Sequence, residues 1–263
     1  MSRGSTPAKP LNSSGWHGHP WREILHRVRD PRFVIDSSLR ILVEGWDLIS
    51  PSEFASLYRQ VRSYTMCSNA RLRGLHRAVR HVEKHRIPGD IVECGSARGG
   101  SAALMGLTLL RLRSQRNLWL FDTYEGLPAP SAQDPDFELA ELFTGTHVGT
   151  LSEVRELFQR LEIGENVQFV KGLFQETLPV IAMGQIAVLH IDGDWYESVK
   201  VCLECLYDKV VGGGVIQFDD YGYWKGARRA TDEFLEKRGI EAALQRLDYS
   251  GRMLIKPGSV EAG

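Results

Sequence analysis

Residues 91–101 read Ile-Val-Glu-Cys-Gly-Ser-Ala-Arg-Gly-Gly-Ser. Ile91 to Cys94 is a short, mostly apolar run that predicts a buried strand, and Ser101 to Leu112 predicts a helix. A glycine-rich turn between a strand and a helix lets a ligand approach the backbone and presents free N–H groups at the helix N-terminus. The turn from Gly95 therefore predicts a binding site, with a tight packing turn as the alternative. Its Gly-x-x-x-Gly-Gly spacing departs from the Gly-x-Gly-x-x-Gly of dinucleotide-binding enzymes, which disfavours a dehydrogenase.

Toward the C-terminus, strand and helix patterns alternate. Strands are predicted at 118–121, 167–170, 186–191 and 215–218, helices at 151–161, 199–206 and 227–234, a long loop at 123–150 and a turn at 212–214. This alternation predicts an α/β fold, with a doubly wound parallel sheet covered by helices on both faces. Two last apolar runs, at 244–247 and 253–256, predict a hairpin that adds an antiparallel edge and brings the sheet to seven strands.

Toward the N-terminus, the pattern changes from helices to a polar tail. Residues 1–20 contain eleven Gly, Pro, Ser or Thr residues, which predicts a mobile tail. Residues 21–86 predict a helical extension, as a lid or an oligomer contact, before a main domain at 87–263. An apolar stripe along 69–86 predicts a helix whose basic side, including Arg71, is a solvated face, with phosphate binding as the alternative. An apolar patch at 41–49 predicts packing on the main domain or on a second subunit, and hence a homo-oligomer.

The composition excludes several classes of protein. The 263 residues are 43% hydrophobic and 25% charged, as in globular chains. The net charge is −1, so there is no basic footprint for a nucleic acid. No apolar run reaches the 18 or so residues of a membrane span, and the N-terminus lacks the apolar core of a signal peptide, which favours the cytoplasm. The 4 cysteines are too few for a disulfide framework, and Cys202 and Cys205 lack the second pair that a zinc site needs.

Several residues at predicted strand ends are candidates for holding a nucleoside. Asp122 ends the second strand, where a carboxylate can accept both hydroxyls of a ribose; capping the following turn is its alternative role. Gly172 and Phe174 follow the third strand, where a backbone and a ring can bracket an adenine. Phe174 is equally suited to the core.

The next two strands end in acids. Asp192-Gly193-Asp194 follows one strand and Asp219-Asp220 the other. Because the carboxyl ends of parallel strands meet at one edge of the sheet, we expect these carboxylates to be neighbours. Clustered carboxylates repel one another unless a cation is present, and they favour a hard ion such as Mg²⁺ or Mn²⁺. The alternative is that the aspartates cap loops. His190 lies inside its strand, so we expect it in the core or behind the residues that would bind the metal.

The motifs together resemble the macrocin O-methyltransferase family. They match in order along residues 64–257: Tyr64-Thr65-Met66, Glu93 to Gly100, Asp122-Thr123-Tyr124-Glu125-Gly126-Leu127-Pro128, Gly172 to Pro179, Asp192-Gly193-Asp194-x-Tyr196 and Asp219-Asp220-Tyr221. Members of the family transfer a methyl group from S-adenosylmethionine to a hydroxyl, commonly on a sugar of an antibiotic. The resemblance therefore implies a class I methyltransferase domain, related to the Rossmann fold.

The resemblance also implies site residues and a hydroxylated small-molecule acceptor. It assigns Thr65, Met66, Glu93, Gly95, Ser101, Asp122, Tyr124, Gly172 and Phe174 to S-adenosylmethionine, and Asp192, Asp219 and Asp220 to Mg²⁺. Asp192 is the expected general base, because the hydroxyl must lose its proton. Candidate acceptor contacts are Phe143 and His147, in the long loop, together with Tyr196 and Tyr221.

Two other functions compete with this interpretation. Asp192-Gly193-Asp194 fits the Asp-x-Asp metal motif of a glycosyltransferase, although that reading leaves the glycine turn and Asp219-Asp220 without a role. A non-catalytic protein with the same fold is the second alternative. The intact set of acids argues against it, because an inactive protein has no use for a cation site.

Overall fold

The structure is a computed structural model that describes residues 43–164, 166–241 and 243–258, together with residue 35. The predicted mobile tail at 1–20 and, within the predicted helical extension at 21–86, nearly all of residues 21–42 lie outside these residues. Among the described residues, no helix has both the length and the apolar character needed to cross a membrane.

Seven strands of the described chain form one sheet. They are β1 (Asp90–Cys94), β2 (Leu118–Asp122), β3 (Val167–Lys171), β4 (Ile186–Ile191), β5 (Val210–Phe218), β6 (Gln245–Arg246) and β7 (Arg252–Ile255). Their order is β3-β2-β1-β4-β5-β7-β6. The first five strands are parallel, and β7 pairs antiparallel with both β5 and β6. The predicted fold class, including the antiparallel C-terminal edge, is confirmed.

Helices cover both faces of this sheet. They are α1 (Glu53–Val61), α2 (Asn69–Lys84), α3 (Gly100–Leu112), α4 (Phe137–Glu141), α5 (Leu151–Arg160), α6 (Phe174–Thr177), α7 (Tyr196–Leu206) and α8 (Lys225–Lys237). Successive side chains of a strand point to opposite faces. Ile91 therefore packs with α1, α2, α3 and α5, whereas Val92 packs with α7 and α8. Two hydrophobic cores result, and β4 is buried along its whole length between them.

The structure differs from the sequence-based prediction in two segments, the turn at 212–214 and the long loop at 123–150. Residues 212–214 are not a turn, because β5 begins at Val210 and runs through all three glycines. The register against β4 shifts there, from Ile186 opposite Val210 to Val188 opposite Val215. Gly213 has φ +80°, a backbone conformation that glycine adopts at little cost, so the triplet accommodates the irregularity without ending the strand.

The segment 123–150 is not a loop throughout, because it contains the short helix α4. Hydrogen bonds also join it to Trp195, Tyr196 and Lys225. The Nε1 of Trp195 donates to the Pro128 carbonyl at 2.7 Å, and the Tyr196 N–H donates to the Asp134 carboxylate at 2.7 Å. The Lys225 N–H donates to Asp136 at 3.3 Å. The segment therefore packs along the N-terminal ends of α7 and α8.

The segment before α1 is helical at residues 43–49. Its Asp47 is buried and accepts hydrogen bonds from Asn69 and Arg73 of α2. Trp46 and Ile49, by contrast, are 62% and 77% exposed. This segment thus contacts α2, itself part of the predicted helical extension, through its polar side. Packing of the apolar patch on the main domain or on a second subunit, and the homo-oligomer, stay predictions.

A buried histidine in α2 makes the stability of this fold depend on pH. The Nδ1 of His76 lies 3.1 Å from the hydroxyl of Thr108, which itself donates to the Leu104 carbonyl. Burial lowers the pKa of His76 to about 4, below the value of about 6.5 in an unfolded chain. Between these values the unfolded chain binds the extra proton, so we expect the contribution of His76 to stability to fall by about 1–2 kcal/mol from pH 7 to pH 5.

The measurement is the free energy of unfolding of the wild type and of His76→Gln at both pH values. Glutamine keeps a hydrogen-bond donor but does not titrate. We expect the wild type to lose more stability than the variant on acidification. Equal losses in the two proteins would contradict the assignment of this proton to His76.

Candidate active site

The C-terminal ends of the parallel strands surround a cavity of about 400 Å³. Most of the residues predicted from the sequence line it. They are Thr65, Met66, Gly95, Ser101, Asp122, Phe143, His147, Phe174, Asp192, Asp219 and Asp220. The predicted topology thus brings residues from 65 to 220 of the sequence into one site.

The glycine turn forms one end of this cavity. Gly95 has φ +91°, and its N–H donates to the Phe121 carbonyl at 2.8 Å. A Cβ at this position would lie 1.8 Å from the backbone oxygen of Asp192, so the end of β1 touches the end of β4. Only glycine fits there, because both the space and the positive φ exclude a side chain.

The Asp122 carboxylate organises the turn and also faces the cavity. Its Oδ2 accepts the N–H groups of Ser96 and Ala97 at 2.7 and 2.8 Å, and its Oδ1 accepts that of Tyr124 at 2.7 Å. The capping role raised as an alternative is therefore present. Asp122 nevertheless lines the cavity. Its contact with the ribose hydroxyls stays a prediction.

The remaining predicted site residues do not line the cavity. Glu93 is fully buried inside the sheet, Tyr124 is buried beside the turn, and the Gly172 N–H donates to the Asp122 carbonyl at 3.0 Å. The hydroxyl of Tyr196 donates to Glu233 at 2.6 Å, and that of Tyr221 donates to Asp232 at 2.8 Å. The structure therefore places both tyrosine hydroxyls on acids of α8 rather than in the cavity.

Three aspartates lie together at the ends of β4 and β5. Carboxylate oxygens of Asp192, Asp194 and Asp220 are all within 4.8 Å of one another. Burial and repulsion by neighbouring carboxylates raise the pKa values of Asp192 and Asp194, and they raise the pKa of Asp220 to about 6. A divalent cation relieves such repulsion, so this cluster is suited to hold one.

Asp219 has different partners, although one of its oxygens is also within 4.8 Å of Asp192. Burial alone would raise its pKa, but the Arg71 guanidinium and a hydrogen bond from His190 lower it. Arg71 forms an ion pair with Asp219 and lies 3.1 Å from Asp248. Cys67 also contacts Asp219, at 3.7 Å from its sulfur, and burial raises the pKa of this thiol, so it stays protonated.

Arg71 and Cys67 are site residues that were not predicted from the sequence. The helical stripe predicted Arg71 on a solvated face, yet it lines the cavity because it is in the first turn of α2. Ser68 caps that turn by accepting the N–H of Arg71. The match at Tyr64-Thr65-Met66 was the available signal, since it placed the start of α2 near the cofactor.

An aromatic wall adjoins the acids. The rings of Phe143 and His147 are stacked with centroids 6.0 Å apart, and Trp224 meets Phe143 edge-on at 5.5 Å. The Nε1 of Trp224 donates to Asp194 at 2.9 Å, which joins this wall to the carboxylate cluster. A ring-shaped molecule in the cavity can thus lie against apolar faces with its polar groups toward the aspartates.

The site and the fold agree with one protein family. A family model described as Macrocin-O-methyltransferase (TylF) matches residues 56–256. The chain belongs to the macrocin O-methyltransferase family. It is therefore an O-methyltransferase, and the cavity at the strand ends is the candidate active site of that enzyme.

Curated relatives of this O-methyltransferase have named substrates. One is 8-demethyl-8-(2,3-dimethoxy-alpha-L-rhamnosyl)-tetracenomycin-C 4'-O-methyltransferase of Streptomyces olivaceus, 34% identical over 72% of this chain and 74% of its own length. Demethyldecarbamoylnovobiocin O-methyltransferase of Streptomyces niveus is also 34% identical, with the same coverage. Mycinamicin III 3''-O-methyltransferase of Micromonospora griseorubida is 28% identical over 72% of this chain and 77% of its length.

Among solved structures, the O-methyltransferase NovP is similar to this chain. The TM-score is 0.70 at 33% identity, over 74% of this chain and 82% of that one. An O-methyltransferase from Streptomyces achromogenes, solved in complex with SAM, has a TM-score of 0.54 at 12% identity over 84% and 96% of the two chains. At that identity the similarity shows the fold.

Proposed function

We propose that this O-methyltransferase transfers a methyl group from S-adenosylmethionine, with the help of Mg²⁺, to a sugar hydroxyl of a small-molecule natural product. The observation that carries the proposal is the juxtaposition of the glycine turn and the aspartate cluster in one cavity. One end of the cavity is suited to a nucleoside and the other to a cation. The matched family and its named relatives supply the reaction type.

The cofactor is proposed to occupy the end of the cavity beside β1 and β2. Gly95 and Ser101 allow its close approach to the backbone and to the start of α3, while Asp122 is placed to accept the ribose hydroxyls. Phe174, which lines the cavity, is proposed to cover the adenine. Tyr124 and Gly172, which do not line it, are proposed to support this end of the cavity from behind. Thr65 and Met66 are then left for the methionine end, toward the aspartates.

The cluster of Asp192, Asp194 and Asp220 fits Mg²⁺, because it offers hard oxygen ligands and carries repulsion that a divalent cation relieves. An oxygen of Asp219 also lies within 4.8 Å of Asp192. We propose Asp192, Asp219 and Asp220, the set that the family resemblance implies, as the ligands of Mg²⁺. When bound, the metal would lower the pKa of an acceptor hydroxyl and fix its position.

The chain's own residues supply the rest of the mechanism. Asp192 is proposed as the general base that takes the proton of the acceptor hydroxyl, because it lines the cavity at its acidic end. Methyl transfer is an in-line displacement, so holding donor and acceptor in line supplies much of the rate. The aromatic wall of Phe143, His147 and Trp224 positions the acceptor and excludes water from it.

The proposed acceptor is a hydroxylated sugar on an antibiotic-like molecule. The name of one relative places its methylation on a rhamnosyl tetracenomycin, and that of another on mycinamicin III. A sugar has an apolar face that packs on aromatic rings and vicinal hydroxyls that reach a metal. The aromatic wall beside the carboxylates offers both kinds of contact.

Calorimetry with S-adenosylhomocysteine tests the cofactor, and we expect micromolar or tighter binding with Mg²⁺ and with EDTA. NAD and a uridine-diphosphate sugar serve as matched controls that should not bind. Metal-dependent binding of the nucleotide sugar alone would instead favour the Asp-x-Asp glycosyltransferase. Binding of none of the three would overturn the proposed cofactor.

Removal of the metal tests the second half of the proposal. With a rhamnosylated acceptor, we expect EDTA to lower methyl transfer at least about 100-fold, because the metal lowers the pKa of the attacking hydroxyl. Added Mg²⁺ should restore the rate. A rate that EDTA leaves unchanged would remove the metal from the mechanism.

A further inference from the structure

We propose that Glu93 and His190 are positioning residues that hold the carboxylate of Asp219 in place for the metal. The inference rests on the proposed function and assigns a role to two buried residues that the mechanism above does not use. It also gives Glu93 a role other than the cofactor contact that the family resemblance implies.

A continuous chain of hydrogen bonds joins the three residues across the centre of the sheet. The Nδ1 of His190 lies 2.8 Å from the Oε1 of Glu93, and its Nε2 lies 3.2 Å from the Oδ1 of Asp219. Glu93 and His190 are register partners on the neighbouring strands β1 and β4, and Asp219 directly follows β5. Asp219 lies two positions beyond Gln217, the register partner of His190 on β5, so two strands and the residue after a third contribute one side chain each.

The histidine is the donor at both ends of this chain. Glu93 and Asp219 are carboxylates, which only accept hydrogen bonds, so Nδ1 donates to Glu93 and Nε2 donates to Asp219, and Glu93 fixes the orientation of the ring. The opposite edge of the ring then points at the Oδ1 of Asp219. The other oxygen of Asp219, Oδ2, contacts Arg71, which lines the cavity. One oxygen is thus held by the sheet and the other is presented to the site.

The burial of Glu93 argues against a purely structural role. Glu93 and His190 are both 0% exposed, and the Oε2 of Glu93 has no hydrogen-bond partner among the described residues. A buried, incompletely bonded carboxylate costs free energy, and apolar residues commonly replace buried ion pairs without loss of stability. By contrast, replacing a residue that orients a metal ligand often lowers the affinity for the metal 10- to 100-fold.

The position of Glu93 distinguishes between its two candidate roles, which are orienting Asp219 for the metal and contacting the cofactor. Glu93 does not line the cavity, whereas Gly95 and Ser101 on the same turn do. A residue that acts through Asp219 should affect the metal and leave the cofactor alone. A residue that touches the cofactor should do the reverse.

The experiment measures two affinities by calorimetry, in Glu93→Gln, His190→Gln and the wild type. One is for Mn²⁺ in the presence of S-adenosylhomocysteine, and the other is for S-adenosylhomocysteine in EDTA. We expect both variants to bind Mn²⁺ about 10- to 100-fold more weakly and to bind S-adenosylhomocysteine within twofold of the wild type. Saturating metal should restore much of the rate of methyl transfer. His76→Gln, a buried histidine outside the site, is the matched control and should change neither affinity.

Three results would overturn the inference. Wild-type affinity for Mn²⁺ in both variants would do so, and so would weaker binding of S-adenosylhomocysteine in EDTA. Wild-type protein that binds S-adenosylhomocysteine but no metal would overturn it together with the metal part of the proposed function. Should Glu93→Gln fail to fold, Glu93→Asp, which keeps the charge but shortens the reach to His190, is measured in the same way with the same expectation.

Discussion

Asp192→Asn is expected to lower the rate of methyl transfer by about 10²- to 10⁴-fold, the usual contribution of a general base, while the protein still folds. Asparagine cannot accept the proton and is a weaker ligand for a hard cation. Burial and repulsion by Asp219, Asp220 and Asp194 raise the pKa of Asp192, so its charge is unfavourable in the metal-free protein. We therefore expect the melting temperature in EDTA to stay the same or rise.

The measurements are single-turnover methyl transfer, binding of S-adenosylhomocysteine in EDTA, and thermal unfolding. Asp208→Asn is the control, because this exposed aspartate pairs with Arg238 away from the cavity. It should retain the wild-type rate. An Asp192→Asn rate within a few-fold of the wild type would remove Asp192 from the mechanism.

Gly95→Ala is expected to have the second large effect. Its Cβ would lie 1.8 Å from the backbone oxygen of Asp192, where no flexible side chain can yield, and φ +91° is itself unfavourable for alanine. The ends of β1 and β4 must move apart, which displaces the glycine turn and Asp192 together. We expect at least about 100-fold less methyl transfer, as small misplacements at a reacting centre cause, with weaker binding of S-adenosylhomocysteine and a lower melting temperature.

Gly184→Ala is the matched control, because nothing lies within 4 Å of a Cβ at that position. It should match the wild type in all three measurements. If Gly95→Ala also did so, the close contact between the turn and Asp192 would not matter to the enzyme.

The fold and the acidic edge were predictable because local patterns specify them. Val188 and Leu189 lie in a continuous apolar run, which predicts a strand buried on both faces. Parallel pairing then places the ends of β4 and β5 side by side, so Asp192 and Asp220 meet although 28 positions separate them. No further information was needed for this part of the site.

The partners of those acids were not predictable in the same way. Arg71 reaches Asp219 and Asp248 from α2, and neither contact follows from the period of a helix or a strand. The contact between Glu93 and His190 was not predictable for the same reason, because it depends on the register of β1 against β4. Contacts between elements far apart in sequence are set by tertiary packing, which a pattern along one chain does not specify.

The hydrogen bonds from Trp195, Tyr196 and Lys225 to the segment 123–150 hold this segment against α7 and α8. Moving this segment away from α7 would break the bonds of Trp195 and Tyr196 together and bring the buried Asp134 into water. Regions held by buried hydrogen bonds open with free energies near those of the core. The amide proton of Tyr196 should therefore exchange with deuterium as slowly as those of β4. We therefore expect the segment to stay in place while acceptor and product exchange.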